Sequence, residues 1–153
     1  MYNKINMASV KIEDRKFWVL LALEAAQGKS LTPVQLQKSL FLLSEKNRLK
    51  KGFYKFKPYD YGPFSPEVYR DAEELEKESL INVSYEQNLK WKVYRITPNG
   101  MNLSQEIKKS LTDNLIQSIS DIINHVIGLS FRDLVQEIYK EYPSYSVNSV
   151  FRG

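Results

Sequence analysis

Residues 65–96 read SPEVYRDAEELEKESLINVSYEQNLKWKVYRI, and this stretch decides the fold. Ser65 is a favoured helix cap, and Pro66 suits the first helical position, where its missing N–H is not needed. Val68, Ala72 and Leu75 follow at i, i+4 and i+7, an inner stripe that carries a helix to about Ser79. Then the period changes. Residues 80–85 (LINVSY) and 91–96 (WKVYRI) are rich in β-formers and flank a polar turn at 86–90, the spacing of a hairpin.

Working outward, two more helices precede this unit. Asp14 is placed to cap the first, which runs to about Gln27 and stops at Gly28; its middle, residues 17–23 (FWVLLAL), is apolar all round, as in a central buried helix. The second starts at Thr32-Pro33, with Leu36, Leu40 and Leu43 on one face and Gln35, Lys38 and Ser39 read as lying away from it. Residues 47–65 read as a long irregular connection with six aromatics, a length more often functional or specially packed than idle. Beyond residue 99, Leu103, Ile107, Leu111, Leu115, Ile119, Ile122 and Val126 hold one amphipathic face, as one long helix or two joined near Thr112-Asp113. Ser130 and Asp133 have capping-box spacing and open a last helix with Phe131, Leu134, Val135 and Ile138 inward, stopped by Pro143. The expectation is one α+β, mainly α domain over residues 1–153. It has a winged-helix-like core at about 14–97, three helices plus a β-hairpin wing, and additional C-terminal helices at about 99–142.

Composition narrows the function classes. Hydrophobic residues make up 42% of the 153 and charged ones 26%, ordinary for a folded chain with a substantial core. There is no cysteine, which removes disulfides and thiolate metal sites. No apolar run has the length of a signal peptide or a membrane span, so a cytoplasmic protein without membrane contact is expected. The net charge of +4 permits nucleic-acid contact without requiring it.

Short patches carry a family resemblance. Leu36-Gln37-Lys38-Ser39-Leu40-Phe41 resembles the "L-x-K-L-L-F/Y" helix of the Panacea (SocA-like antitoxin) and YwgA-like families, and Tyr61-Gly62-Pro63-Phe64-Ser65-Pro66-Glu67-Val68-Tyr69 is similar to their "Y-G-P-x-S/V-x-E-V/L-Y" signature. Leu80-Ile81 with Tyr94–Gly100 looks like their wing, and residues 139–149 resemble the tail of the YwgA-like members. The chain departs from the pattern in carrying Ser79 where a glycine is usual before Leu80, and in lacking an obvious tryptophan-bearing helix. The resemblance implies a prokaryotic or phage-borne protein that binds a partner protein, a toxin or defence component, in a toxin–antitoxin or phage-defence setting.

No catalytic constellation is readable, and neither a metal nor a cofactor is expected. His125, the sole histidine, reads as an edge-of-core side chain, since a lone histidine without cysteine completes neither a zinc site nor a triad. The carboxylates Glu67, Asp71, Glu73, Glu74, Glu76 and Glu78 share one helix and read mostly as its solvated face. That helix carries Arg70 and Lys77 against six acids, a net −4 that would repel phosphates if it entered a DNA groove. Nucleic acid would have to meet Lys50, Lys51 and Lys55 in the connection and Lys92 and Arg95 in the wing, with Phe53, Tyr54 and Phe56 offering rings for stacked bases. The segment 53–69 holds seven aromatics in 17 residues. Either these rings pack over their own helices, or the surplus anchors a partner, because aromatics dominate binding hot spots. On the second reading Tyr59, Tyr61, Phe64 and Tyr69 carry the contact, with Glu73 and Glu74 as supporting charges. The expected function is non-catalytic binding of a partner protein; the alternative is a winged-helix DNA-binding transcriptional regulator.

Overall fold

The computed structural model describes residues 15–49, 53–86 and 90–152. Its fold is α+β and mainly helical. Helix α1 (Lys16–Ala25) runs through the middle: Trp18, Val19, Leu20, Leu21, Ala22 and Leu23 are all buried, and helices on several sides pack against it. Each such apolar side chain contributes about 1.5–3 kcal/mol when fully removed from water. Asp14, expected as its cap, lies outside the described residues; Arg15 occupies the cap position without a side-chain bond.

Helix α2 (Pro33–Lys46) opens with a reciprocal capping box, in which the Gln35 N–H donates to Thr32 Oγ1 and the Thr32 N–H donates to Gln35 Oε1. The expected polar side of this helix does not exist around Lys38 and Ser39, which are both buried, as is Gln37. The reason is sandwiching: α1 and α5 pack on α2, and the residues after it fold back over it as well.

Those residues correct a second expectation. Part of the stretch read as irregular is a small antiparallel hairpin, β1 (Lys57–Tyr59) with β2 (Gly62–Phe64), pairing Pro58 with Pro63 and Tyr59 with Gly62. Three-residue strands, each holding a proline, carry no strand signal in sequence. Phe53 and Tyr54, just before it, are core residues, so they cannot stack on nucleic-acid bases.

Helix α3 (Pro66–Lys77) follows, and Ser65 makes no side-chain cap bond at its start. Its acidic residues are not all solvated: Asp71 is buried, takes a hydrogen bond from Arg15 Nε at 2.9 Å and another from the Tyr54 hydroxyl at 2.5 Å. The hairpin β3 (Ile81–Tyr85) with β4 (Lys92–Ile96) pairs in antiparallel register from Ile81↔Ile96 to Tyr85↔Lys92. Leu31, between α1 and α2, bridges Tyr94 through two 2.9 Å backbone bonds and so extends this sheet. The amphipathic stripe beyond it is two helices, α4 (Pro98–Lys108) and α5 (Asp113–Ile127), because Thr112 accepts the Leu115 N–H as a fresh cap. Gly100 sits where an added Cβ would come within 2.1 Å of the Leu80 carbonyl oxygen, which ties α4 tightly to the start of β3.

Helix α6 (Phe131–Glu141) is capped by Ser130 and ends in a short 3-10 turn, Pro143–Ser146. Two expectations fail here. Phe131 is 45% exposed rather than inward, since the first turn of α6 projects past the core. His125 stands on the surface, 2.7 Å from Glu137 of α6. One hydrophobic cluster draws on helices α1 to α6, on β3 and β4, and on the segment before β1.

Candidate partner-binding groove

The cap of α2 brings Pro33 and Val34 to the surface opposite the corner where α5 turns into α6. Leu129 and Leu134 form the far wall, and between them lies a groove of about 580 Å³ with a largely apolar lining. Three rings stand on its rim from three separate parts of the chain: Tyr61 from the β1–β2 turn, Trp91 from the foot of β4 and Phe131 from α6. They are 40%, 47% and 45% exposed. Tyr61 and Phe131 meet edge to face at 5.1 Å, and Phe131 also meets Phe151 at 6.0 Å, so the rim is braced rather than loose.

A smaller cavity of about 180 Å³ adjoins the groove and shares Val34 and Tyr61 with it. All four aromatics singled out in the sequence line it: Tyr59, Tyr61, Phe64 and Tyr69. Tyr59 stacks on Phe64 at 4.9 Å, Phe64 meets Tyr69 at 5.6 Å, and Tyr69 lies parallel to Tyr94 of β4 at 6.4 Å. Burial pushes the Tyr69 phenol up to about 12. Tyr59 and Tyr61 are exposed, whereas Phe64 and Tyr69 are half-buried and serve partly as packing.

Two polar side chains of α2 hold this turn from beneath. Gln37 donates from Nε2 to the Ser65 carbonyl at 2.8 Å and accepts the Ser65 N–H at 2.9 Å. Lys38 donates from Nζ to the Pro63 carbonyl at 3.0 Å. Burial alone brings the Lys38 amine down to about 8. Lys38, Trp91 and Phe131 are the site residues that sequence reasoning missed. A signal existed for Lys38, which sits in a helix with apolar residues on all sides of it; none existed for Phe131, whose helical period points inward.

The remaining candidates lie elsewhere. Glu73 and Glu74 line neither the groove nor the cavity; both are exposed, and Glu74 comes within 3.8 Å of Lys16 of α1. Arg70 pairs with Glu67 on the same helix. Lys50 and Lys51 lie outside the described residues. Lys55 is exposed, Lys92 half-buried, and Arg95 is engaged by the Gly28 carbonyl at 3.1 Å and Glu86 at 3.1 Å. Among the described residues no three histidine, aspartate or glutamate side chains converge as a metal site requires, and no helix is long and apolar enough to cross a membrane. No protein-family model and no curated protein matches the chain.

Proposed function

We propose that this chain is a non-catalytic binding domain that takes an apolar segment of a partner protein into the groove between α2 and α6. The observation that carries this reading is the groove itself: nearly 600 Å³ of mostly apolar space rimmed by three exposed rings. Exposed aromatics around a concave apolar surface are what a partner buries, and tryptophan and tyrosine are the residues that contribute most when it does. Tyr61 and Phe131 brace each other, and the α2 side chains hold the turn that carries Tyr61, so little ordering of these two rings remains to be done on binding. A partner of the toxin or phage-defence kind, acting in the cytoplasm, is what the resemblance to Panacea and YwgA-like proteins adds to this reading.

The arrangement of α1, α2, α3 and the β3–β4 wing, with Leu31 bridging β4, supports a winged-helix reading of the core. Duplex binding through α3 is the weaker function for it. Glu73, Glu74 and Glu76 are exposed there, Arg70 is paired, and Arg95 of the wing is already held by Glu86.

Panning a random-peptide display library against the folded chain tests the proposal. Enriched peptides are expected to be apolar, and Trp91→Ala and Phe131→Ala are each expected to weaken them by about tenfold or more. Both rings are half exposed, so both variants should keep the parent melting temperature. Peptides indifferent to both changes, or no enrichment at all, would overturn it.

A further inference from the structure

Lys38 is 3% exposed, yet among the described residues no carboxylate pairs with it. An ammonium group has three N–H donors. One meets the Pro63 carbonyl; among the described residues the others meet nothing. Asp60 lines the same cavity but forms no ion pair with Lys38, whose lowered pKa has burial as its only cause. A buried cation without a counter-charge is costly, and groups held in such settings cluster at functional sites. Lys38 lines the 180 Å³ cavity, which shares Val34 and Tyr61 with the groove.

Resting on the reading of the groove as a partner site, we propose that the Lys38 cavity is a carboxylate subsite: an aspartate or glutamate side chain of the bound segment enters it and pairs with Nζ. A single carboxylate neutralises a single amine, whereas a dianionic phosphate would leave excess negative charge beside Asp60. The cavity shares Val34 and Tyr61 with the groove, so a side chain of a segment bound in the groove has it within reach. The partner segment is therefore apolar with one acidic residue among its anchors.

The experiment uses three N-acetylated apolar tetrapeptides on the full chain. One carries a glutamate and an amidated terminus, the second a glutamine in its place, and the third that glutamine with a free terminal carboxylate. Affinities are measured together with the ¹³Cε signal of Lys38 in lysine-labelled protein. The glutamate peptide should bind about tenfold tighter than either glutamine peptide. It should also raise the pKa of Lys38, because a nearby negative charge favours the ammonium form. Lys38→Met, an apolar replacement of similar length, should abolish the preference while leaving the two amidated peptides equal. Should that variant fail to fold, the wild-type Lys38 signal still decides: no rise in its pKa with the glutamate peptide overturns the subsite. A preference that survives Lys38→Met, or one shown only by the free terminus, overturns it too. If glutamate and glutamine peptides bind alike and Trp91→Ala abolishes both, the subsite falls and the groove stands. If none of the three binds, both fall.

Discussion

Lys38 brings a formal positive charge into the protein interior, and its pH behaviour follows from that placement. Burial lowers its pKa from 10.5 in the ordinary case to about 8 in the folded chain. Below about pH 8 both folded and unfolded chains hold the proton, and the folded state bears the full cost of the buried charge. Between about 8 and 10.5 the folded chain releases its proton first, so the unfolded state binds more protons and stability rises with pH. Lys38→Met has no such group and is expected to be the more stable protein at pH 7. Its advantage should shrink by about 2–3 kcal/mol on going to pH 10, at about 1.4 kcal/mol per unit. Tyr59, Asp60, Tyr61 and Tyr69 line the same cavity as Lys38, Tyr139 lies beside Gly62 next to it, and all are present in both chains, so the difference isolates the lysine. Denaturant unfolding of the two proteins across this range is the measurement, and a difference that stays flat with pH contradicts the placement. Asp71 shows the same residue-level lesson in reverse. In the sequence it is one acid among six on an acidic helix; in the fold it is the member that Arg15 and Tyr54 draw inward.

At the scale of elements, the β1–β2 hairpin connects core to groove. Two strands of three residues are not stable alone. This pair is held from below by Gln37 and Lys38 and from outside by the C-terminal segment, where the Val150 N–H and the Ser149 hydroxyl both donate to the Asp60 carbonyl and Asn148 donates to that of Pro58. Gly62 makes the turn possible. Its φ of +101° is in the region that side chains resist, and a Cβ there would meet the Tyr139 ring at 3.2 Å. Gly62→Ala should therefore cost about 1–3 kcal/mol and should also displace Tyr61 and weaken groove ligands. Thermal unfolding with a peptide-binding assay checks this, and a variant of parent stability and affinity would mean the turn is not fixed by its glycine. The hairpin was illegible in the sequence because its stabilisation comes from residues far along the chain. The β3–β4 hairpin was legible because its own residues supply the pattern. The same contrast explains the helices: the caps Thr32, Thr112 and Ser130 are local signals that the structure uses, whereas the burial of Lys38 and Ser39 depends on what folds over them.

For the whole molecule, the α+β and mainly helical class was readable because periodicity is local, and one buried cluster then joins elements from α1 to α6. The groove was readable only in part. Aromatic surplus in residues 53–69 drew attention to Tyr59, Tyr61, Phe64 and Tyr69, and the fold gathers these four around one cavity. It did not point to Trp91 or Phe131, which reach the same place from the foot of β4 and from α6, and it set Glu73 and Glu74 beside a surface they do not line. Sites assembled from distant segments are beyond any reading that moves along one window at a time. The central claim is that the groove between α2 and α6 receives the partner, and the chain's two tryptophans test it directly. Trp18 is buried in α1, while Trp91 stands on the groove rim. Their two indole N–H signals can be followed by NMR as a peptide enriched by panning is titrated into the full chain. The account predicts that the Trp91 signal shifts in step with binding and that the Trp18 signal stays in place. Saturating binding that leaves the Trp91 signal unmoved, with shifts gathered instead on α3 or around Lys55 and Arg95, would contradict it.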